Sequence, residues 1–144
     1  MIRRARPEDA GAIAALFRRS YGTLTFLPTL HTPDEDRRHF AGLMTKAELW
    51  VAEEDDRLLG FAALAGDVLE LLYVHPHVHG RGIGTALLEQ AKRRRPQGLR
   101  LWVFQANVGA RRFYERHGCH LVELTDGSGN EERMPDALYE WRPP

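Results

Sequence analysis

Three short apolar segments joined by tight turns constrain the fold of this chain most strongly. The segments cover residues 49–53, 58–65 and 68–74. Each has a length and composition typical of one strand. The intervening pairs, Asp55-Asp56 and Gly66-Asp67, favour two-residue hairpin turns. The sequence therefore predicts an antiparallel meander of three strands.

Helices and further strands surround this meander. Thr32, Pro33 and Glu35 form the pattern of a capping box with proline in the first turn, which predicts a helix that runs to about residue 46. The other predicted elements are a strand at 1–5, a helix that begins at Pro7, helices at 82–94 and 108–117, and strands at 99–104, 120–125 and 137–141. This order predicts one α/β domain of the α+β type over residues 1–144. Its sheet should be mixed and mostly antiparallel, with about six to seven strands and about four helices on both faces.

The composition gives no reason to propose nucleic-acid or membrane partners. Lys plus Arg and Asp plus Glu number 20 each, so no overall charge attracts nucleic acid or an anionic membrane. No apolar run approaches the roughly 18 residues of a membrane span, and the first residues lack the apolar stretch of a secretory signal. The single cysteine, Cys119, permits no intrachain disulfide. We therefore expect a cytoplasmic protein without nucleic-acid or membrane partners.

A glycine-rich loop lies between the meander and the helix at 82–94. Its residues, 79–85, read HGRGIGT. Glycines allow positive φ and close approach of a ligand, and the free N–H groups at a helix start attract anions. The loop is therefore suited to a pyrophosphate. Taken alone it is equally consistent with a turn that only starts a helix, because it matches neither the dinucleotide fingerprint nor the P-loop.

Two segments together resemble the GNAT superfamily of N-acyltransferases. Residues 71–88, LLYVHPHVHGRGIGTALL, resemble its acetyl-CoA motif, and residues 107–118, NVGARRFYERHG, resemble its second cofactor motif. The chain departs from the usual pattern at His79, where Gln or Arg is common, and at Cys119, where a bulky apolar residue is common. We expect Cys119 to be a core residue rather than a catalytic thiol. The resemblance implies an acetyl-CoA-dependent N-acetyltransferase that needs no metal.

The resemblance also implies which residues bind acetyl-CoA. The strands at 68–74 and 99–104 would lie side by side and then diverge, which would expose backbone groups of Leu72 and Val74 to the pantetheine arm. Asn107 would contact the same arm, or it would only cap a helix. The expected cofactor-binding residues are Leu72, Tyr73, Val74, His79, Gly80, Arg81, Gly82, Ile83, Gly84, Thr85, Asn107, Phe113 and Tyr114.

Two residues are candidates for proton transfer. Tyr114 occupies the position where the superfamily commonly has its proton donor, and a tyrosine with a pKa of about 10 is protonated at neutral pH. The alternative is a tyrosine of the helix's core stripe. Glu70 is the candidate general base, because burial in an apolar strand would raise its pKa. The alternatives are a solvated glutamate at this position and a water molecule as the base.

Two charged features have weaker functional interpretations. His75, His77 and His79 alternate, but Pro76 interrupts the strand, so we expect no metal site. The basic run at 92–95 is expected to be a solvated helix end rather than a nucleic-acid patch, because cations are common at helix C-termini.

The acceptor amine should be recognised by the segments that flank the cofactor motifs. These are residues 20–34 and 125–136. The second segment carries Asp126, Glu131, Glu132 and Asp136, opposed by Arg133. Carboxylates favour a cationic acceptor, although a solvated hairpin or a homodimer contact is the alternative. We expect a small-molecule primary amine. The alternatives are a protein N-terminus or lysine, and a non-catalytic acetyl-CoA sensor.

Overall fold

The computed structural model describes residues 1–144 and contains a seven-stranded sheet. The strands are β1 (Ile2–Arg4), β2 (Glu48–Glu54), β3 (Arg57–Ala65), β4 (Val68–Val74), β5 (Leu99–Phe104), β6 (His120–Leu124) and β7 (Asp136–Trp141). The α-helices are α1 (Ala10–Tyr21), α2 (Pro33–Leu43), α3 (Ile83–Arg94) and α4 (Val108–Arg116), with short 3-10 turns at Pro7–Asp9 and Pro76–Val78. None of the helices is long and apolar enough to cross a membrane.

The strand order across the sheet is β1-β2-β3-β4-β5-β7-β6, and only the β4–β5 pair is parallel. β2, β3 and β4 form the antiparallel meander that the turn signals predict. Asp55 and Asp56 both adopt positive φ, at 51° and 61°, as a tight two-residue hairpin requires. The predicted fold class, mixed and mostly antiparallel with four α-helices, is confirmed.

The helices cover both faces of the sheet. α1 and α2 pack on one face, where Ile13, Phe40 and Phe61 are among the buried residues. α3 and α4 cover the other face, where Leu87 and Tyr139 are fully buried. This arrangement leaves the C-terminal half of β4 between the two layers.

Local capping determines where α2 begins. The hydroxyl of Thr32 accepts a hydrogen bond from the Glu35 N–H at 3.2 Å, and the Glu35 carboxylate accepts one from the Thr32 N–H at 2.9 Å. The predicted capping box is therefore confirmed. The helix ends at Leu43, earlier than the predicted residue 46, because the chain continues as turns before β2.

β4 has a β-bulge against β3 at the point where it diverges from β5. In the β3–β4 pair, Ala63 faces Leu71 but Leu64 faces Leu69, which leaves Glu70 as the extra residue. β4 pairs with β5 at only two positions, Val68 with Arg100 and Leu69 with Leu101, both before the bulge. The divergence of these strands that the resemblance implies is therefore confirmed.

The basic end of α3 is better packed than expected. Lys92 donates a hydrogen bond to the His117 carbonyl at 2.7 Å and lies over the ring of Trp141. Arg94 and Arg95 pair with Glu48 at 2.5 and 3.4 Å. The expectation of a solvated helix end is wrong for Lys92 and Arg95, because α4 and β2 bring partners to them that are distant in sequence.

Candidate active site

Two cavities meet at the gap between β4 and β5. The first, which we call the loop cavity, has a volume of about 740 Å³ and is lined by the glycine-rich loop, the start of α3 and α4. The second, which we call the hairpin cavity, has a volume of about 690 Å³ and is lined by β4, β5 and the 125–136 connection between β6 and β7. The residues that line both cavities are Leu24, Leu72, Tyr73, Asn107, Ala110 and Tyr114.

The glycine-rich loop presents open backbone to the loop cavity. Gly80 and Gly82 adopt left-handed φ of 84° and 81°, a conformation that L side chains rarely adopt. No atom lies within 4 Å of the place that a Cβ would occupy at either glycine. Gly82 caps α3 without a side-chain hydrogen bond, so the first N–H groups of that helix have no intrahelical partner. The loop therefore has the geometry of an anion site.

The carbonyl of Val74 is occupied, whereas its N–H faces the gap. The Ser20 hydroxyl and the His79 Nε2 both donate to the Val74 carbonyl oxygen at 3.0 Å. The His75 N–H donates to Leu59, which makes Gly60 and Val74 a non-hydrogen-bonded pair of the ladder. The Val74 N–H consequently points away from β3. The sequence resemblance predicts that the backbone groups of Val74 are exposed to a ligand. Only the N–H is free, because Ser20 of α1 and His79 already bond to the carbonyl oxygen.

Tyr114 lies at the junction of the two cavities. Its ring belongs to the core below α4 and packs edge-on against Phe113, at a centroid distance of 5.3 Å. Burial raises its pKa above the ordinary value of about 10, so the hydroxyl stays protonated at neutral pH. The ring is part of the core, and Tyr114 lines both cavities.

Comparison with known proteins decides the family. Residues 45–118 match the family model described as acetyltransferase (GNAT) domain. The chain is 35% identical to the peptidyl-lysine N-acetyltransferase YjaB of Salmonella typhimurium over 123 residues, which cover 84% of this chain and 83% of YjaB. This chain belongs to the GNAT acetyltransferase family. It is also 36% identical to the peptidyl-lysine N-acetyltransferase YiaC of Escherichia coli over 99 residues, or 68% of this chain and 66% of YiaC.

Solved structures share the fold of this GNAT acetyltransferase. The solution structure of apo YjaB from Escherichia coli superimposes with a TM-score of 0.81 at 27% identity, and it covers 100% of this chain and 98% of YjaB. The crystal structure of the PaiA N-acetyltransferase from Thermoplasma acidophilum in complex with coenzyme A has a TM-score of 0.77 at 22% identity. Family and fold together identify the protein as an acyltransferase.

The GNAT motif residues converge on the loop cavity with one exception. Every residue expected to bind the cofactor lines this cavity except Arg81. The Arg81 guanidinium instead pairs with Glu54 at 3.1 Å, outside the cavity. Ser20, Thr23 and Leu24 of α1 and its exit also line the cavity, although no motif identifies them. Only the packing of α1 against β4 brings them there.

Glu70 does not have the environment that the sequence suggests. It lines the hairpin cavity, but it is exposed rather than buried, so the expectation of burial is wrong. Its apolar neighbours enter the two helical layers, whereas the bulge turns Glu70 towards the open cavity. Glu70 is therefore accessible to solvent in the hairpin cavity.

The acidic residues of the 125–136 connection have different environments. Asp136 accepts hydrogen bonds from Thr125 and Asn130, and Glu131 lies 2.6 Å from His31 at the rim. Only Glu132 lines the hairpin cavity without a partner, since its Oε2 is buried and makes no hydrogen bond. Desolvation raises the pKa of Glu132, a hydrogen bond from its own backbone N–H lowers it, and the charges of Glu131 and Asp136 raise it; the net direction is upward. The segment forms a wall of the cavity through Glu132 and Asp136, whereas Asp126 and Glu131 are exposed to solvent.

The alternating histidines have separate hydrogen-bond partners. His75 Nε2 lies 2.9 Å from the Arg19 guanidinium, and His79 donates to the Val74 carbonyl. No group of three or more His, Cys, Asp or Glu side chains is arranged to hold a metal ion.

Proposed function

We propose that this acetyltransferase transfers the acetyl group of acetyl-CoA to the side-chain amine of a lysine in a peptide or protein. The observation that carries this proposal is that two cavities meet at Tyr114. One is lined by the glycine-rich loop, which suits an anion, and the other is lined by Glu132, whose Oε2 has no hydrogen-bond partner. The relatives YiaC and YjaB are named peptidyl-lysine N-acetyltransferases, which favours lysine over the small-molecule amine expected from the sequence.

The loop cavity suits acetyl-CoA. Open N–H groups at Gly82 and the start of α3 would hold the pyrophosphate. Backbone groups of Leu72 would hold the amide-rich pantetheine arm in the gap beside β4. Asn107 caps α4 through the Ala110 N–H at 3.2 Å, so its side-chain oxygen is already engaged in the capping role. Its amide nitrogen remains available to the pantetheine arm.

Three groups of the chain would serve the transfer. The Val74 N–H can stabilise the developing oxyanion of the thioester. Tyr114 can give its proton to the departing thiolate, because burial keeps the hydroxyl protonated. Glu70, open to solvent, can receive through water a proton that the amine loses. Acetyl-CoA supplies the activated acetyl group.

The hairpin cavity fits the shape and charge of a lysine side chain. Phe17, Tyr21 and Phe104 line it, and Glu70 and Glu132 add carboxylates. Lysine combines a long apolar stem with a terminal ammonium group, so aromatic walls and a carboxylate match its two parts.

An acceptor panel tests the proposal. Thiol release from acetyl-CoA is measured with three acceptors: an N-terminally blocked peptide that contains lysine, the same peptide with norleucine and a free N-terminus, and a small diamine. We expect the largest kcat/KM for the lysine peptide, with mass spectrometry placing the acetyl group on the lysine. A larger kcat/KM for the diamine would indicate a small-molecule acceptor. Binding of acetyl-CoA without any thiol release would indicate a sensor.

A further inference from the structure

We infer that Glu132 binds the ammonium group of the acceptor in the hairpin cavity and accepts its first proton. The inference rests on the proposed transfer to a primary amine and assigns the residue that selects a cationic acceptor. Glu132 and Glu70 line the same cavity but would have different roles, because Glu132 has a buried carboxylate oxygen whereas Glu70 is exposed to solvent.

The first argument is the missing partner. Oε2 of Glu132 is the buried side-chain polar atom of this protein that has no hydrogen-bond partner. A buried carboxylate oxygen without a donor is destabilising, so such groups are normally paired. An ammonium group carries three donors and the opposite charge, and it would pair with this carboxylate where Glu132 lines the cavity.

The second argument is that no lysine or arginine of the protein pairs with Glu132. The groups that face Glu132 are Tyr21 of α1, Tyr73 of β4, and the acids Glu131 and Asp136 of its own connection, with His31 beyond Glu131. Glu132 forms no ion pair with a lysine or an arginine. The Tyr21 hydroxyl is committed to the Pro28 carbonyl at 2.9 Å. His31 pairs with Glu131, so a cationic ligand would be the direct partner of Glu132.

The third argument is that the backbone around Glu132 is held firmly. The Asn130 amide donates to the Met134 carbonyl at 2.8 Å, and the Met134 N–H donates back to Asn130 at 3.2 Å. Gln105 donates to the carbonyls of Thr125 and Asp136 at 2.9 and 3.0 Å, which fastens both ends of the connection to the end of β5. Glu132 thus projects from a closed loop, as a group that recognises a ligand should.

The proton transfers balance with these assignments. The ammonium group gives one proton to Glu132 and becomes a neutral amine, whose nitrogen attacks the thioester carbon. The C–N bond forms and the C–S bond breaks, and Tyr114 gives its proton to the thiolate. The nitrogen then loses its second proton through water to Glu70, Tyr114 recovers its proton from solvent, and Glu132 and Glu70 release theirs to solvent. Burial and neighbouring acids raise the basicity of Glu132, which suits this role.

The kinetic test compares Glu132→Gln with Glu131→Gln. Both variants remove one negative charge from adjacent positions, but Glu131 pairs with His31 outside the hairpin cavity. With the lysine peptide at pH 7, we expect Glu132→Gln to lower kcat/KM about 10- to 100-fold, the usual effect of losing a charged hydrogen bond. KM for acetyl-CoA should stay within about twofold. The defect should shrink as pH rises towards the pKa of lysine, because the free amine then arrives deprotonated.

A binding measurement tests Glu132 without turnover. Calorimetry in the presence of CoA compares the lysine peptide with the matched norleucine peptide, which keeps the stem and lacks the charge. We expect wild type and Glu131→Gln to prefer lysine, and Glu132→Gln to lose that preference. Glu132→Gln should also melt at the same temperature as wild type or higher, because it removes an unpaired buried charge. A lower melting temperature would indicate a structural role.

The outcomes separate the two proposals. If wild type acetylates no amine, the proposed function fails, while the binding comparison still decides the role of Glu132. If wild type acetylates the lysine peptide and Glu132→Gln matches Glu131→Gln in kcat/KM and in lysine preference, the assignment of Glu132 is wrong. A loss in Glu70→Gln alone would assign the first proton to Glu70 instead.

Discussion

Thr85 Oγ1 and His117 Nε2 lie 3.0 Å apart and join the first turn of α3 to the end of α4. His117 Nδ1 lies 2.8 Å from the Phe113 carbonyl oxygen and must donate to it. In the neutral imidazole Nε2 is then the acceptor, so Thr85 donates. Both residues line the loop cavity, and this hydrogen bond therefore holds two of its walls together.

Thr85→Val tests this contact. Loss of the hydrogen bond should lower the free energy of unfolding by about 1 kcal/mol. It should also weaken acetyl-CoA binding by about 3- to 10-fold, because the two walls lose their connection. Urea denaturation and calorimetry measure these effects. Thr45→Val is the control, because Thr45 donates to Gly42 away from both cavities. Equal acetyl-CoA affinity in Thr85→Val and Thr45→Val would contradict the role of this bond.

The glycines of the loop should differ in their tolerance of a side chain. Gly82 has a left-handed φ of 81°, where an L residue costs roughly 1–2 kcal/mol. Gly82→Ala should therefore shift the start of α3 and weaken acetyl-CoA binding about tenfold. At Gly84 an added Cβ would meet Phe113 at 3.4 Å, an ordinary contact, so Gly84→Ala should bind more tightly than Gly82→Ala. Calorimetry compares the two, and a reversed order would argue against an anion site at Gly82.

Tyr114→Phe should depress kcat about 100-fold and leave KM for acetyl-CoA nearly unchanged, because the ring remains packed and only the acid is lost. Burial raises the pKa of Tyr114 above about 10, so the wild-type rate should show no loss from its ionisation below that pH. Tyr139→Phe is the control: this buried tyrosine donates to Glu115 and lines neither cavity. Steady-state kinetics of Tyr114→Phe that match Tyr139→Phe would make Tyr114 a core residue only.

Cys119 should be chemically inert in the folded protein. It is 3% exposed, and burial raises its pKa to about 11. At pH 8 only about one thiol in a thousand is then ionised, and it is shielded from reagents. Iodoacetamide should leave the native protein unmodified by mass spectrometry and modify it in urea. Cys119→Ala should keep wild-type kcat. Rapid modification of the native protein with loss of activity would assign Cys119 a role in the reaction.

Much of the architecture was predictable because its causes are local. The capping box at Thr32 and Glu35 involves residues three positions apart, and the hairpin turn at Asp55 and Asp56 needs only its own φ values. Gly82 ends the loop and caps α3 for the same local reason. The motif of residues 79–85 therefore indicated the wall of the loop cavity that suits an anion, since the backbone geometry of this loop depends on that segment alone.

The acceptor side of the site depends on contacts between distant segments, and the linear pattern does not contain them. Glu70 is surrounded by apolar residues in sequence, yet a register shift against β3 turns it into the open cavity. Glu131 and Glu132 are adjacent in sequence, yet one pairs with His31 and the other enters the hairpin cavity unpaired. Burial and charge pairing are determined by neighbours in space. For Glu131 and Glu132 the neighbours come from α1, β4 and the α1–α2 connection, far away along the chain.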